Sequence, residues 1–379
     1  MEFSYLMPTR VIFGRHCIAN NKNEFGKHGH RALIVTGKTS ALKSGALDDV
    51  INVLSDNSIS YLVYNGVLPN PSVDNVREAA RMARDFNADM IIGIGGGSPI
   101  DAAKAVAVLS TADMDDEALF KGSYIVEPLP VIAIPTTAGT GSEVTPYSIL
   151  TDEKDETKKN VSNKSLYPKI AFLDPSYTEM LPYEITVNTA LDAFSHAVES
   201  CLSQRANPLS IMIALESLKL IGPCLSNLCS GQAVSIDQRE IFLYASMLAG
   251  VAISQTGTTV VHAMGYSLTY FKNIDHGKAN GLLLCKYLRY VIPHNPHKIA
   301  LILKALDMKA LDELEVVINK LLLKPENLSE QEIDIFSQKA VLAKSVSNTF
   351  PVAMMDDIKA LYRSSMGPGK NTLSKLSNR

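Results

Sequence analysis

Asp192, His196, His262 and His276 have the residue types and the spacings of a metal site. Asp192 and His196 lie four apart in a stretch, 185–202, with helical periodicity, so both side chains leave one face a turn apart. His262 and His276 cannot work from one helix. Fourteen residues at ~1.5 Å rise would separate them by about 21 Å, whereas metal–nitrogen bonds are about 2.0–2.1 Å long. The intervening Phe271-Lys-Asn-Ile-Asp-His276-Gly277 carries turn chemistry, which lets the chain bend and present His276 from a second element. Three imidazoles and one carboxylate suit a divalent ion of the zinc or iron type. Any one of these histidines alone could equally cap or pack; the set is what points to a metal.

Two loops could hold a charged partner. Gly93-Ile-Gly-Gly-Gly-Ser98-Pro-Ile-Asp101 follows a strand pattern and opens a helical one. Ser98 is expected as N-cap, Pro99 as first helical residue and Asp101 as capping-box acid. The free N–H groups of Gly95, Gly96, Gly97 and Ser98 would then bind a phosphate or pyrophosphate. A plain turn needs fewer than three consecutive glycines. It is not the G-x-G-x-x-G fingerprint, because Ser98 stands at the third glycine. The second loop, Pro135-Thr-Thr-Ala-Gly-Thr-Gly-Ser-Glu-Val-Thr145, offers Thr136, Thr137, Thr140 and Thr145 to the phosphates, ribose and carboxamide of a dinucleotide. By itself it would equally suit a polar surface loop. A dinucleotide beside a metal suggests hydride transfer, the cation easing loss of the alcohol proton and the nicotinamide taking the hydride.

The elements that position these residues change character along the chain. Strand-like runs at 32–36, 61–64, 90–94 and 131–134 alternate with helical patterns to about Ser55, at 73–86 and after Ser98. Such alternation predicts a parallel, Rossmann-like α/β sheet flanked by helices. After Ala171-Phe-Leu-Asp-Pro175, long helical patterns take over at 185–202, 208–228, 237–254 and 330–348. The expected organisation is an α/β dinucleotide-binding domain, 1–178, followed by an all-α metal-binding domain, 179–379. The Gly/Ser/Asn/Lys-rich tail after Gly367 is expected to fray.

Composition narrows the class. The 379 residues are 46% hydrophobic and 20% charged, with a net charge of −3, which suits a soluble globular protein and gives no footprint for nucleic acid or anionic membrane. Five cysteines without a CxxC pair read as reduced thiols of a cytoplasmic protein. The start, Met1-Glu-Phe-Ser-Tyr, lacks the pattern of a signal peptide. No Asp, Glu, Lys or Arg occurs from Ile241 to Tyr270. Polar residues at 255–259 interrupt that run, leaving less than the ~20 residues a bilayer span needs, so a buried helix is expected.

At these residues the chain resembles the iron-containing (group III) alcohol dehydrogenases. The resemblance runs from Pro8 to about Ile292, carried by Pro69-Asn-Pro-Ser72, Gly95 to Asp101, Pro135 to Thr145, Asp174-Pro175, Asp192-Ala-Phe-Ser-His196-Ala-Val-Glu199, His262-Ala-Met and His276-Gly-Lys-Ala-Asn280. It implies a nucleotide domain and a helical domain (a dehydroquinate synthase-like fold) with cofactor and metal in the cleft between them. Asp192, His196, His262 and His276 match the family's four ligands, for Fe(II) or Zn(II), and Asn70, Lys159, Thr178 and Leu181 are implied as cofactor neighbours. There are departures. Many members have a histidine where Tyr266 stands; a phenol titrates near ~10, so Tyr266 is a reduced candidate for proton transfer. NAD-preferring members often place an acid after the first strand, whereas Gly37 and Lys38 offer none, which favours NADP(H) over NAD(H). The chain also reads Asn348-Thr-Phe-Pro351 where members usually have an Asn-Pro-Arg-like segment.

The expected function is NAD(P)-dependent interconversion of a small primary alcohol or diol and its aldehyde. Pocket segments are expected near Ser148 and at 252–257, and a homodimer or higher oligomer through the strand around Arg10–Phe13 is expected. The rivals are a zinc polyol or glycerol dehydrogenase, a dehydroquinate synthase-like lyase and a non-catalytic protein. The lyase must hold a phosphorylated carboxylate, yet there is no Lys or Arg from Ile170 to Gln204. A chain released from catalysis has no need to keep four ligands.

Overall fold

The computed structural model describes residues 2–122, 127–322 and 326–367, so the tail expected to fray lies outside the described residues. The strands are β1 (Arg10–Phe13), β2 (Arg31–Gly37), β3 (Ser60–Val67), β4 (Met90–Gly95), β5 (Val131–Pro135), β6 (Tyr147–Asp152), β7 (Thr157–Ser162) and β8 (Ile170–Leu173). Six form a parallel sheet in the order β1-β8-β5-β4-β2-β3. With them go α1 (Cys17–Asn20), α2 (Ser40–Lys43), α3 (Ala46–Asp56), α4 (Val73–Asp85), α5 (Gly97–Leu109) and α6 (Asp116–Lys121). β4 and β5 are buried at every position, as their unbroken apolar runs require in a sheet covered on both faces. α5 is alanine- and valine-rich because it too is buried all round.

The second half is helical: α7 (Tyr183–Leu202), α8 (Pro208–Leu228), α9 (Ile236–Thr256), α10 (Val260–Lys272), α11 (His276–Val291), α12 (Pro296–Ala305), α13 (Leu311–Leu322), α14 (Glu330–Val341) and α15 (Met355–Met366). The uncharged run from Ile241 is two buried helices, α9 and α10, bent by 111° at the break. α8 is long and apolar enough to cross a membrane, but its Ala214, Leu218, Ile221 and Leu225 share one core with α7 and α9.

Three expectations need correction. The helical pattern up to Ser55 is two helices, broken at Ser44-Gly45. The pattern expected to run to Asn348 stops at Val341 and resumes as a short 3-10 turn, Lys344–Asn348. The β6–β7 antiparallel hairpin was not expected, because β7 reads Thr-Lys-Lys-Asn-Val-Ser with only Val161 buried. Polarity hid it, and yet it walls one side of the site.

Candidate active site

Helix α7 brings Asp192 and His196 from consecutive turns, α10 brings His262, and His276 opens α11. The bend between α10 and α11 is made by Asn273 in the left-handed region, φ 53°, as the turn chemistry requires. A Cβ on Gly277 would lie 1.7 Å from the Asn188 carbonyl oxygen, so only glycine lets α11 approach α7 closely enough to deliver His276. The three Nε2 atoms then stand 3.8 Å (His196), 3.7 Å (His262) and 3.9 Å (His276) from Asp192 Oδ1.

Two ligand atoms each ~2.0–2.2 Å from one ion stand about 3–4 Å apart. Asp192, His196 and His262 therefore fit a divalent cation with little movement, and His276, 3.9 Å from the same carboxylate oxygen, stands beside them as a fourth donor. Asp192, His196 and His262 are buried and present ligand atoms within 4.8 Å of one another, while His276 sits on the rim, its side chain 25% exposed. Burial lowers the pKa of His196 despite Asp192. Burial, with Lys158 nearby, holds His276 well below the usual histidine range. Neutral imidazoles are the form a metal takes. His262 moves the other way. Burial opposes its charging, but the Glu199 carboxylate outweighs it, and its pKa is raised.

Around the quartet stand residues that ligand spacing alone does not reveal. Asn280, one turn beyond His276, donates from Nδ2 to Asp192 Oδ1 at 3.0 Å and lies 3.1 Å from His262 Nε2 and 3.4 Å from His276 Nε2. Its i, i+4 relation to His276 was a usable signal. Fully buried Glu199, a turn beyond His196, contacts His262 Nδ1. Tyr266 stacks on His276 with ring centroids 5.5 Å apart, and burial raises its phenol pKa well beyond the ordinary value.

Lysine 159 requires a correction. Its ammonium turns out toward Asp152 and Asp155. Alternation along β7 instead points its neighbour Lys158 inward, where Nζ donates to Asn70 Oδ1 at 2.6 Å. Burial pushes the Lys158 pKa down to about 8, against the pull of Asp192 and Asp101.

The two loops meet as expected, but the roles within them differ. Helix α5 starts at Gly97 with extended Gly96 as N-cap and no side-chain cap, so the expected capping box is absent. Ser98 Oγ instead accepts from Asn70 N at 3.2 Å. Asp101 is engaged within the protein: it accepts from Ser142 Oγ at 2.5 Å and Ile149 N at 3.0 Å, beside the fully buried Lys104 at 3.7 Å. Thr145 is buried against Lys104, and Ser148 donates to the Asp101 carbonyl. Both side chains are engaged within the protein, and Thr136 is buried. Thr137 and Thr140 are the threonines packed on the glycine loop, 3.1 Å from a Cβ built on Gly96 and 2.7 Å from one on Gly97.

Gly96, Gly97, Ser98 and Asn70 are half-buried around the α5 N-terminus, and Gly37 and exposed Lys38 end β2 nearby. Thr178 and Leu181 line a small pocket with Ala138 of the threonine-rich loop, Thr186, Thr189 and Arg239. The guanidinium of Arg239 ties down both their carbonyls. The Asn348–Pro351 segment docks at the α9–α10 break, Asn348 Nδ2 donating to Thr258 O and Thr349 Oγ1 accepting from Val260 N.

Residues 8–175 match the family model described as iron-containing alcohol dehydrogenase, and 186–366 match that of the family's C-terminal region. The chain belongs to the iron-containing alcohol dehydrogenase family. A 1,3-propanediol dehydrogenase of Citrobacter freundii is 35% identical over 79% of this chain and 78% of its own. An NADPH-dependent butanol dehydrogenase of Clostridium saccharobutylicum is 33% identical over 77% and 74%. Among solved structures, an iron-containing alcohol dehydrogenase from Thermotoga maritima superposes with a TM-score of 0.90 at 39% identity, covering 96% of this chain and 99% of that one. The parallel-sheet and helical halves are those of the family fold, and the chain is a metal-dependent oxidoreductase acting on alcohols or diols.

Proposed function

We propose that the cleft between an α/β half, 1–178, and a helical half, 179–379, reduces a short aldehyde with NADPH, or oxidises the corresponding primary alcohol or diol. Asp192, His196, His262 and His276 would hold the ion, Fe(II) in a reducing cell with Zn(II) as an alternative. The observation that carries this reading is the convergence of three Nε2 atoms on Asp192 Oδ1 within one hydrogen-bonded cluster.

Held by these four residues, the cation would supply Lewis-acid polarisation of the alcohol or aldehyde oxygen, and the dinucleotide would supply the hydride acceptor or donor. The chain's own residues do the rest. The N–H groups of Gly96 to Ser98 face the pyrophosphate at the α5 N-terminus, with Gly95 at the end of β4 beneath them. Thr137 and Thr140 close over that loop, and Asn70 and Lys158 line the way to the metal. Thr178 and Leu181 would edge the adenosine end. Lys38, with no carboxylate beside it in Thr36-Gly-Lys-Thr-Ser40, favours a 2′-phosphate. Tyr266 orients His276 by stacking; its phenol keeps its proton at neutral pH, so it can donate a hydrogen bond but is no base.

The lyase alternative is weakened further. Lys272 and Lys278, near His276 in sequence, are each paired with a carboxylate, Glu332 at 2.7 Å and Glu326 at 2.8 Å. A site for a phosphorylated carboxylate would keep such cations free. The five cysteines are free thiols, as suits a cytoplasmic enzyme. β1 pairs on one side only, with β8, and its open edge suits a homodimer. Oxidation of NADPH by a panel of short aldehydes, with and without chelator, tests the reading. Metal-loaded protein without turnover on any of them would sink it.

A further inference from the structure

We infer that Glu199 is the positioning residue that makes His262 a metal ligand, by fixing which ring nitrogen carries the proton. The inference rests on the proposed role of the quartet. Glu199 is fully buried on α7, and every polar group facing its carboxylate is a donor. Oε1 accepts from Thr259 N at 2.7 Å, Thr259 Oγ1 at 2.6 Å and, more weakly, His262 N at 3.4 Å. Oε2 accepts a hydrogen bond from His262 Nδ1. An imidazole that donates from Nδ1 keeps its lone pair on Nε2, the nitrogen 3.7 Å from Asp192 Oδ1.

The same carboxylate caps helix α10. Thr259 is that helix's N-cap residue, and its own side chain makes no capping bond. Of the N–H groups left over at the start of the helix, Thr259 N and His262 N are met by Glu199 from the neighbouring helix, while Val260 N is met by Thr349 Oγ1. One buried carboxylate therefore sets where α10 begins and which way its ligand faces. Outer partners of this kind tune metal affinity by about 10–100-fold.

The substitution that separates this role from plain packing is Glu199→Gln. It is isosteric, and its carbonyl can still accept from Thr259. Its amide, however, points N–H at Nδ1, so His262 must accept there and carry its proton on Nε2, where the metal has to bind. Glu199→Asp removes a methylene from a closed site but remains acceptor-only. Chelator competition with Zn(II) and the visible spectrum of the Co(II)-substituted protein read the outcome, with melting temperatures of metal-free and metal-loaded forms alongside.

We expect Glu199→Gln to weaken metal binding by at least tenfold, to alter the Co(II) spectrum and to shrink the melting gap between the two forms. Glu199→Asp should bind metal more tightly than Glu199→Gln. The reverse order, or a Glu199→Gln protein with wild-type affinity and spectrum, overturns the inference. If Glu199→Gln does not fold, Glu199→Asp and Thr259→Val remain: the latter loses only the Oγ1 donor to Glu199 Oε1, leaves Oε2 on Nδ1 and should keep the wild-type Co(II) spectrum, and a changed one counts against Glu199. Asp192→Ala is the control for the site itself. Wild-type protein that binds no more metal than Asp192→Ala refutes the metal reading, whereas normal wild-type binding with an unaffected Glu199→Gln refutes this inference alone.

Discussion

Gly97→Ala tests the proposed nucleotide cradle where two loops touch. A Cβ at Gly97 would meet Thr140 Cγ2 at 2.7 Å, Cβ at 3.2 Å and Oγ1 at 3.2 Å. The first distance is shorter than carbon–carbon contact allows, so the loops must part. Overpacking of one methyl in a close-packed site costs about 1–3 kcal/mol. Part of that falls on binding, because the displaced groups are the proposed phosphate donors and their covering threonines. The expected loss in NADPH affinity is about 5- to 150-fold, a factor of ten for each ~1.4 kcal/mol. Isothermal titration with NADPH measures it, and metal content serves as the control, since the quartet lies on α7, α10 and α11. Thr140→Ser removes the 2.7 Å contact while leaving Oγ1, which also accepts from Ser142 N at 3.3 Å. The double variant should therefore recover most of the lost affinity. A Gly97→Ala protein with unchanged Kd, or a double variant no better than the single, would refute the cradle.

Further outcomes follow from the same geometry. Asp192→Ala or His276→Ala should abolish activity and metal content while NADPH binding stays within a few-fold; turnover in either variant removes the ligand assignment. Gly37→Asp should shift preference toward NAD, and the structure permits it, because a Cβ there meets nothing closer than the Val67 carbonyl at 3.6 Å. An unchanged NADP/NAD ratio of kcat/KM would show that a carboxylate at this position does not set the choice. Tyr266→Phe should retain at least half the activity, since the stacking ring stays; a loss of tenfold or more would restore the phenol to the proton path. Lys158 has a folded pKa lowered to about 8 from 10.5, so between those pH values the unfolded chain binds more protons and stability rises with pH. Lys158→Met should flatten that rise in melting temperature between pH 8 and 10.5, and curves parallel to wild type would contradict it.

The fold was legible where burial is uniform. β4 and β5 show as unbroken apolar runs because a parallel sheet covered on both faces admits nothing else. The uncharged stretch from Ile241 shows as buried helix for a related reason. What stayed hidden was polar structure held by tertiary partners. β7 offers one buried side chain, Val161, and its pairing with β6 is specified by the elements that it meets, so no periodicity announces it. The α5 N-terminus shows the opposite error. Ser98, Pro99 and Asp101 satisfy every local rule for a capping box, but buried Lys104, Ser142 and the Ile149 N–H compete for Asp101. Inside the protein those contacts outweigh one exposed cap.

The site divides along the same line. The candidate ligands were readable because metal chemistry restricts residue type and helix geometry restricts spacing, and both are local. Orientation was not, because it belongs to pairs far apart in the chain. Glu199 and His262 are 63 residues apart, and Asn280 and Asp192 are 88 apart. Lys158 and Lys159 illustrate the limit most sharply. The two neighbours are chemically identical, and only the strand's alternation, known once β7 is known to be a strand, sends one toward Asn70 and the candidate metal site and the other toward Asp152 and Asp155. The charge beside the metal is therefore set by hairpin register. A one-residue slip in β6–β7 pairing would exchange an ammonium aimed at Asn70 and the metal site for one aimed at Asp152 and Asp155. Asp101 on α5 holds β6 in place from the nucleotide side, its carboxylate accepting from Ile149 N and its backbone carbonyl from Ser148 Oγ, so the strand on which β7 sets its register is anchored to the helix that opens at the proposed nucleotide cradle.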